Sequence, residues 1–202
     1  MSKGLLMVVS GPAGSGKGTV NKLLLSTGDF VYSVSATTRA PRPGEIDGVS
    51  YHFISREDFE SKLAEGELLE YTEYCGNYYG TLKKEALAVL ESGKNLILEI
   101  EVEGAANVKR LYPDAVLIML LPPSFEIQEE RLRGRGTETE EKILARLEQT
   151  KNEMKRLDIY DYIVYNYNGG APVAADDIKA IVRAEKFARR RNPDAEEKYF
   201  EN

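Results

Sequence analysis

The residues with the plainest chemistry stand near the amino end, in the run Gly11-Pro12-Ala13-Gly14-Ser15-Gly16-Lys17-Gly18-Thr19. Gly11, Gly14 and Gly16 let the backbone turn without Cβ clashes. Successive N–H groups can then converge on anionic oxygens while Lys17 adds a full positive charge. The apolar stretch Leu5-Leu6-Met7-Val8-Val9 precedes this loop and Val20-Asn21-Lys22-Leu23-Leu24-Leu25 follows it, the order of strand, loop and helix that a phosphate cradle requires. The spacing Gly11-x4-Gly16-Lys17 meets the Walker pattern for a nucleoside triphosphate, except that Gly18 stands where a Ser or Thr usually follows the lysine. That usual hydroxyl ligates magnesium. Here the metal falls either to Thr19 or to phosphates, water and an outlying carboxylate.

Other cations are gathered rather than spread. Arg39 and Arg42 flank Pro41, which restricts their relative aim, and Arg131, Arg133 and Arg135 recur before a helical pattern that carries Arg146. The net charge of −6 argues against a broad nucleic-acid footprint, so these local groups point to small anionic ligands. A single histidine, His52, lies in a β-like stretch and reads as structural or surface, which argues against histidine-based acid catalysis. Phosphoryl transfer to a phosphate acceptor needs little from a protein base, because the acceptor is already charged near neutral pH. The lone Cys75 excludes an internal disulfide and reads as a small residue near a turn, and with one histidine there is no zinc cluster.

The elements that must position these groups follow from hydrophobic patterning. Apolar strands are expected near 4–10, 29–34, 94–100, 115–121 and 161–165, separated by helical patterns, which predicts an α/β fold with a parallel sheet covered by helices on both faces. Leu82, Ala86, Leu87, Val89 and Leu90 form one core-facing helical stripe; Ile143, Leu144, Leu147, Met154 and Leu157 form another. A chain of 202 residues with 42% hydrophobic content can build one domain. We read its core as 1–34, 82–125 and 151–202, a small inserted lobe as 35–81, rich in Gly, Pro and Tyr, and a mobile lid as 126–150, hinged at Gly134 and Gly136. A Thr and two acidic residues after those glycines signal the start of the lid's second helix. A last helix is expected over Val173–Arg191, stopped by Asn192-Pro193, with Arg189-Arg190-Arg191 as a solvated face. No apolar run approaches a membrane span, and Leu5–Val9 is too short for a signal peptide, so the expected location is cytoplasmic.

Three further motifs carry a resemblance. With Ser33-Val34-Ser35-Ala36-Thr37-Thr38-Arg39-Ala40-Pro41-Arg42, Gly44-Glu45-x-Asp47-Gly48-x-x-Tyr51 and Gly76-Asn77-Tyr78-Tyr79-Gly80-Thr81, added to the phosphate loop and the Arg131–Thr137 segment, the chain closely resembles guanylate kinases over nearly its whole length. The resemblance implies a P-loop NTPase-like core, a GMP-binding lobe and a helical lid. It also implies transfer of the terminal phosphoryl group of ATP to GMP, with magnesium.

It implies roles as well. Arg39 and Arg42, with Tyr51 and Tyr79, would hold the GMP phosphate, since arginine forks match phosphate oxygens. Guanine reading falls to Glu70, because a carboxylate accepts from guanine's N1–H and its amine, whereas adenine presents an acceptor at the first position. Ser35 and Thr81, the latter standing where many members carry Ser, would add hydroxyl contacts. Glu99 and Glu101 close a strand at positions where the family often has Asp; Glu101 is carried over to the substrate and metal region, while Glu99 is also readable as a solvated strand end. Lys17, Arg131, Arg135 and Arg146 would surround the transferring phosphoryl group, where charge spreads over its equatorial oxygens. Asn166 sits where the family places an Asn near adenine, although the usual acidic residues after it are missing.

Two rivals stand beside this reading. Gly14-Ser15-Gly16-Lys17-Gly18-Thr19 also resembles the phosphate loops of adenylate and cytidylate kinases, against which Glu70 and Tyr78-Tyr79-Gly80-Thr81 favour guanine. A guanylate-kinase-like peptide-binding module would usually have a degraded loop, whereas this chain keeps Lys17 and the arginines. The expected partners are ATP and GMP, without nucleic acid or membrane, and the sequence leaves monomer and homodimer open.

Overall fold

A computed structural model describes residues 3–136 and 138–200 of the chain. Five parallel strands form the central sheet: β1 (Leu6–Ser10), β2 (Phe30–Tyr32), β7 (Asn95–Leu98), β8 (Val116–Leu121) and β9 (Tyr162–Tyr165), in the spatial order β2-β7-β1-β8-β9. These are the five strands that the apolar runs predict. Between β2 and β7 lie β3 (Ala36–Thr37), β4 (His52–Phe53), β5 (Leu68–Tyr74) and β6 (Asn77–Leu82), which form a separate four-stranded sheet in the order β4-β3-β6-β5.

Helices cover both faces of the central sheet, so its strands are apolar on both sides. Met7 and Val9 of β1 pack with Val20 and Leu24 of α1 (Lys17–Leu25) and with Ile178 and Val182 of α7 (Ala171–Phe187). Leu6 and Val8 face the opposite way. They meet Ala86 and Leu90 of α3 (Lys83–Glu91) and Ala105 and Val108 of α4 (Val102–Leu111). Because β1 pairs with β7 on one side and β8 on the other, the winding reverses at β1. The crevice at the carboxyl end of β1, where such sheets collect ligands, is where the glycine loop emerges.

In the smaller sheet, α2 (Arg56–Ala64) starts at Ser55, whose side chain accepts from the Asp58 N–H, and it buries Phe59 against the rings of Tyr71 and Tyr78. Cys75 and Gly76 form the β5–β6 turn with φ of 49° and 74°. Two positive values give the turn that matches strand twist, and explain an exposed cysteine in the left-handed region.

The segment after β8 forms α5 (Phe125–Gly134) and α6 (Glu140–Met154). Leu132, Ile143 and Leu147 lock the two helices together over Ala13 of the glycine loop. Leu144, expected in the core stripe, is 53% exposed, and Leu157 falls in a 3-10 turn beyond α6. A helix packed on one narrow seam buries only part of its apolar stripe. Gly134 completes α5, and Gly136 alone takes a positive φ, 62°. Thr137, part of the expected helix-start signal, lies outside the described residues.

The carboxyl-terminal helix is shorter than expected. An extended Ala188 ends α7, and Arg189–Arg191 form a 3-10 turn before α8 (Ala195–Phe200). Arg189 and Arg190 are exposed, as the solvated-face reading expects, whereas Arg191 is largely covered. Arg190 and Arg191 turn back onto the buried carboxylate of Glu185, which also accepts from the Tyr162 hydroxyl at 2.6 Å. A buried charge must be paired, and that requirement overrides helix continuation.

Candidate functional site

Backbone conformation builds the loop. Gly14 and Gly16 have φ of 87° and 89°, a region that side-chain-bearing residues avoid. Close approach is the second reason for glycine. A Cβ on Gly11 would lie 2.2 Å from the Leu120 carbonyl oxygen, and one on Gly16 would lie 2.2 Å from Asn166 Nδ2. The loop thus wedges against the ends of β8 and β9, and Gly16 hands the chain to α1 at Lys17.

The Lys17 ammonium curls back over the loop, donating to the Gly11 carbonyl and, at 3.4 Å, to that of Pro12. Burial holds its pKa below the ordinary lysine value; the charges of Glu99, Glu153 and Glu101 oppose that shift, and Arg135 adds to it. The ammonium is therefore placed where anionic oxygens could replace its carbonyl partners. A cavity of about 380 Å³ opens above it, lined by the loop from Pro12 to Thr19 with Lys22, Glu99, Arg135 and Arg146. The structure brings Lys17, Thr19, Arg135 and Arg146 to one space. Glu99 joins them, held by Asn21 Nδ2 and the Tyr32 hydroxyl, each at 3.0 Å.

Two expected residues have other positions. Arg131 does not line the cavity; its guanidinium donates to the carbonyls of Gly14 at 3.2 Å and Asn166 at 2.7 Å and to Asn168 Oδ1 at 2.9 Å. Asn166 is 5% exposed and donates to the Ser15 carbonyl at 2.8 Å. Both side chains hydrogen-bond carbonyls of the loop itself.

In the second sheet, Arg39 forms a two-pronged pair with Glu45, at 2.9 and 3.0 Å, and its guanidinium carbon stands 5.4 Å from the Tyr51 ring. Tyr79 packs on Tyr51, with ring centroids 6.0 Å apart. The structure therefore groups Arg39, Tyr51 and Tyr79. The side chain of Arg42 is exposed, and its N–H donates to Glu45 Oε2 at 2.6 Å. Glu45, inside a quoted motif but given no role there, is the residue that organises both arginines. Ser35 is half-buried, and its carbonyl accepts from the His52 N–H at 2.9 Å.

Glu70 and Thr81 are partners across β5 and β6. Thr81 Oγ1 donates to Glu70 Oε1 at 2.8 Å, while Oε2 is buried without a partner among the described residues. Burial pushes the Glu70 carboxyl up to about 7, against the lowering effect of the Thr81 hydrogen bonds. Glu101 stands at the amino end of α4, its carboxyl pushed up by desolvation and then by Glu153, with Lys17 opposing. Glu153, on α6, is a residue that sequence reasoning missed; only its helical register marks it.

For a divalent metal, the donors at hand are the exposed hydroxyl of Thr19 and the carboxylate of Glu99 on the cavity, with Glu101 beyond. Among the described residues no group of three or more His, Cys, Asp or Glu side chains could hold a metal by itself. Such a sparse donor set fits magnesium arriving with phosphates and keeping much of its water.

Comparison with known proteins bears on the whole chain. The guanylate kinase family model matches residues 3–184. A guanylate kinase of Halalkalibacterium halodurans is 52% identical over 190 residues, covering 94% of this chain and 92% of its own. One from Carboxydothermus hydrogenoformans is 46% identical over 192 residues, covering 95% and 93%. The crystal structure of guanylate kinase from Anaplasma phagocytophilum superposes with a TM-score of 0.72 at 34% identity, over 92% of this chain and 87% of that one. With a glycine loop closing on a lysine at the sheet's switch point and a family match across nine-tenths of its length, the chain belongs to the guanylate kinase family.

Proposed function

We infer that this enzyme transfers the terminal phosphoryl group of ATP to GMP, giving ADP and GDP in purine nucleotide metabolism. The observation that carries the reading is the cavity where Lys17 of the phosphate loop meets Arg135 and Arg146 from the helical segment after β8. Phosphoryl transfer needs positioning and positive charge more than covalent chemistry, and these residues supply both.

The loop N–H groups and the start of α1 hold the donor phosphates, and Lys17 exchanges its carbonyl partners for phosphate oxygens. Arg135 and Arg146 supply charge to the equatorial oxygens once water is expelled. Arg131, through Gly14 and Asn166, keeps the loop in shape. On the acceptor side, the Arg39 fork, Arg42, Tyr51 and Tyr79 bind the GMP phosphate. Glu70 accepts from guanine's N1–H and amine, with Ser35, Thr81 and Glu101 beside the base. Magnesium, with Thr19 and the Glu99 or Glu101 carboxylate as its protein oxygens, would neutralise developing charge on the phosphates.

In this reading residues 35–81 are the GMP-binding lobe and 126–150 the lid, and both close on the core when nucleotides bind. No helix among the described residues is long and apolar enough to cross a membrane. The supply of ATP and the free thiol of Cys75 favour the cytoplasm as its compartment. A coupled ADP-release assay with Mg-ATP and GMP, AMP, CMP or UMP tests the reaction: GMP alone should be used efficiently, and equal use of AMP would overturn the assignment.

A further inference from the structure

We propose that Gln128 is a positioning residue for phosphoryl transfer: one buried amide sets the placement of the Arg146 helix against the phosphate loop. The inference rests on Arg146 acting in the transfer site, as read above. Gln128 lies on α5 and is 1% exposed. Its Nε2 donates to the Ala13 carbonyl at 2.9 Å and to Thr150 Oγ1 at 2.7 Å. Thr150, 4% exposed, in turn donates to the Arg146 carbonyl at 2.9 Å, one helical turn back on α6. A continuous chain of hydrogen bonds therefore runs from the phosphate loop through α5 to the backbone of the residue that brings a guanidinium to the cavity.

The apolar contacts at the same junction cannot do this alone. Leu132, Ile143, Leu147 and Ala13 hold the helices together, but burial of apolar area is non-directional and tolerates sliding. Hydrogen bonds fix distance and angle, and in a dry site they bind more strongly and are more costly to lose. The Arg146 side chain, itself 46% exposed, pairs with Glu138 at 2.7 Å, a carboxylate that is 17% exposed. That pair orients the guanidinium relative to the segment just ahead of α6, not relative to the phosphate loop. Its reach into the cavity is thus decided by where α6 sits, and Gln128 joins α6 to the loop. The residue type matters: an ionised glutamate could not donate to the Ala13 carbonyl, and leucine would leave both that carbonyl and Thr150 without the amide.

The test is a double-mutant comparison using Gln128→Leu, Thr150→Val, Thr150→Ser and Arg146→Ala, assayed with Mg-ATP and GMP alongside thermal melts. Gln128→Leu and Thr150→Val should each lower kcat by about 10- to 100-fold, the scale of a small misplacement of a catalytic group, with KM for ATP moving less than about threefold. Thr150→Ser, which restores the hydroxyl, should stay near wild type. In the Arg146→Ala background neither Gln128→Leu nor Thr150→Val should lower kcat further, because the group they place is gone. Losses that multiply in that background, or a wild-type kcat in both single variants, would overturn the proposal. Should Gln128→Leu fail to fold, the Thr150 pair gives the same comparison. A wild-type protein that leaves GMP untouched would instead sink the reaction assignment, and this role with it.

Discussion

Thr81 donates its hydroxyl hydrogen to one oxygen of Glu70 at 2.8 Å, and the other oxygen of that buried carboxyl has no partner among the described residues. The pair is an acceptor half satisfied. A buried polar atom without a partner is unfavourable, so a ligand that donates to Oε2 gains more than the same contact would give at the surface. Glu70→Gln replaces an acceptor by a donor there. GMP should suffer about a hundredfold or greater loss in kcat/KM, while KM for ATP changes little. Equal losses for both nucleotides, in steady-state kinetics with each varied in turn, would remove Glu70 from guanine reading.

The same carboxyl sets a pH dependence. Its pKa in the free protein is raised to about 7 by burial, so it is protonated below that pH and cannot accept from both guanine donors. GMP kcat/KM should fall about tenfold per unit as pH drops below about 7, whereas ATP affinity should not follow. Thr81→Val, which removes a bond that lowers this pKa, should move the acidic limb to higher pH. For folding the sign is opposite. A folded pKa above the usual carboxyl value means that the contribution of Glu70 to stability is fully present below about 4.5 and is lost as pH rises through about 7. Denaturant titrations of wild type and Glu70→Gln across that window should converge toward the acid side, and parallel curves would refute the linkage.

Lys17→Ala should lower kcat by about a thousandfold or more, on the scale of losing a main electrostatic contact, with a melting temperature close to wild type. The fold tolerates the change because, among the described residues, Lys17 donates only to carbonyls of its own loop. Near-normal turnover would exclude the lysine from transfer.

Gly16 and Gly18 are two residues apart and should respond in opposite ways to alanine. At Gly16 the Cβ would meet Asn166 Nδ2 at 2.2 Å with φ at 89°, and destabilisation of about 1–3 kcal/mol is expected, with weakened ATP binding. At Gly18 nothing lies within 4 Å of the added carbon, so alanine inside α1 should be neutral or stabilising by up to about 1 kcal/mol. Urea unfolding of both variants checks the contrast.

Arg39→Lys keeps the charge but loses the fork that now grips Glu45. We expect KM for GMP to rise about 10- to 100-fold with KM for ATP unchanged, measured in the same coupled assay.

The central sheet was legible because parallel strands buried on both faces are continuous apolar runs, which marks β1, β7 and β8, while the partly exposed edge strands β2 and β9 still stand out as short apolar runs. The phosphate loop was legible because a positive φ and a close backbone approach both demand glycine, a local signal that spacing preserves. Less legible were groups whose partners are distant in sequence. The arginines 190 and 191 read as surface charge until Glu185 is seen between them, and Leu144 read as core until α6 is seen to use one narrow seam.

By itself, then, the sequence determined the α/β core, the loop that turns at Gly14 and Gly16, and the family motifs around Arg39 and Tyr79. Only the tertiary structure decided that Asn166 and Arg131 bond that loop's carbonyls, that Gln128 ties it to Thr150, and that one Glu70 oxygen has no partner among the described residues. Backbone conformation is written in neighbouring residues. Hydrogen-bond partners 22 to 151 positions apart become visible only when packing brings them together and excludes water.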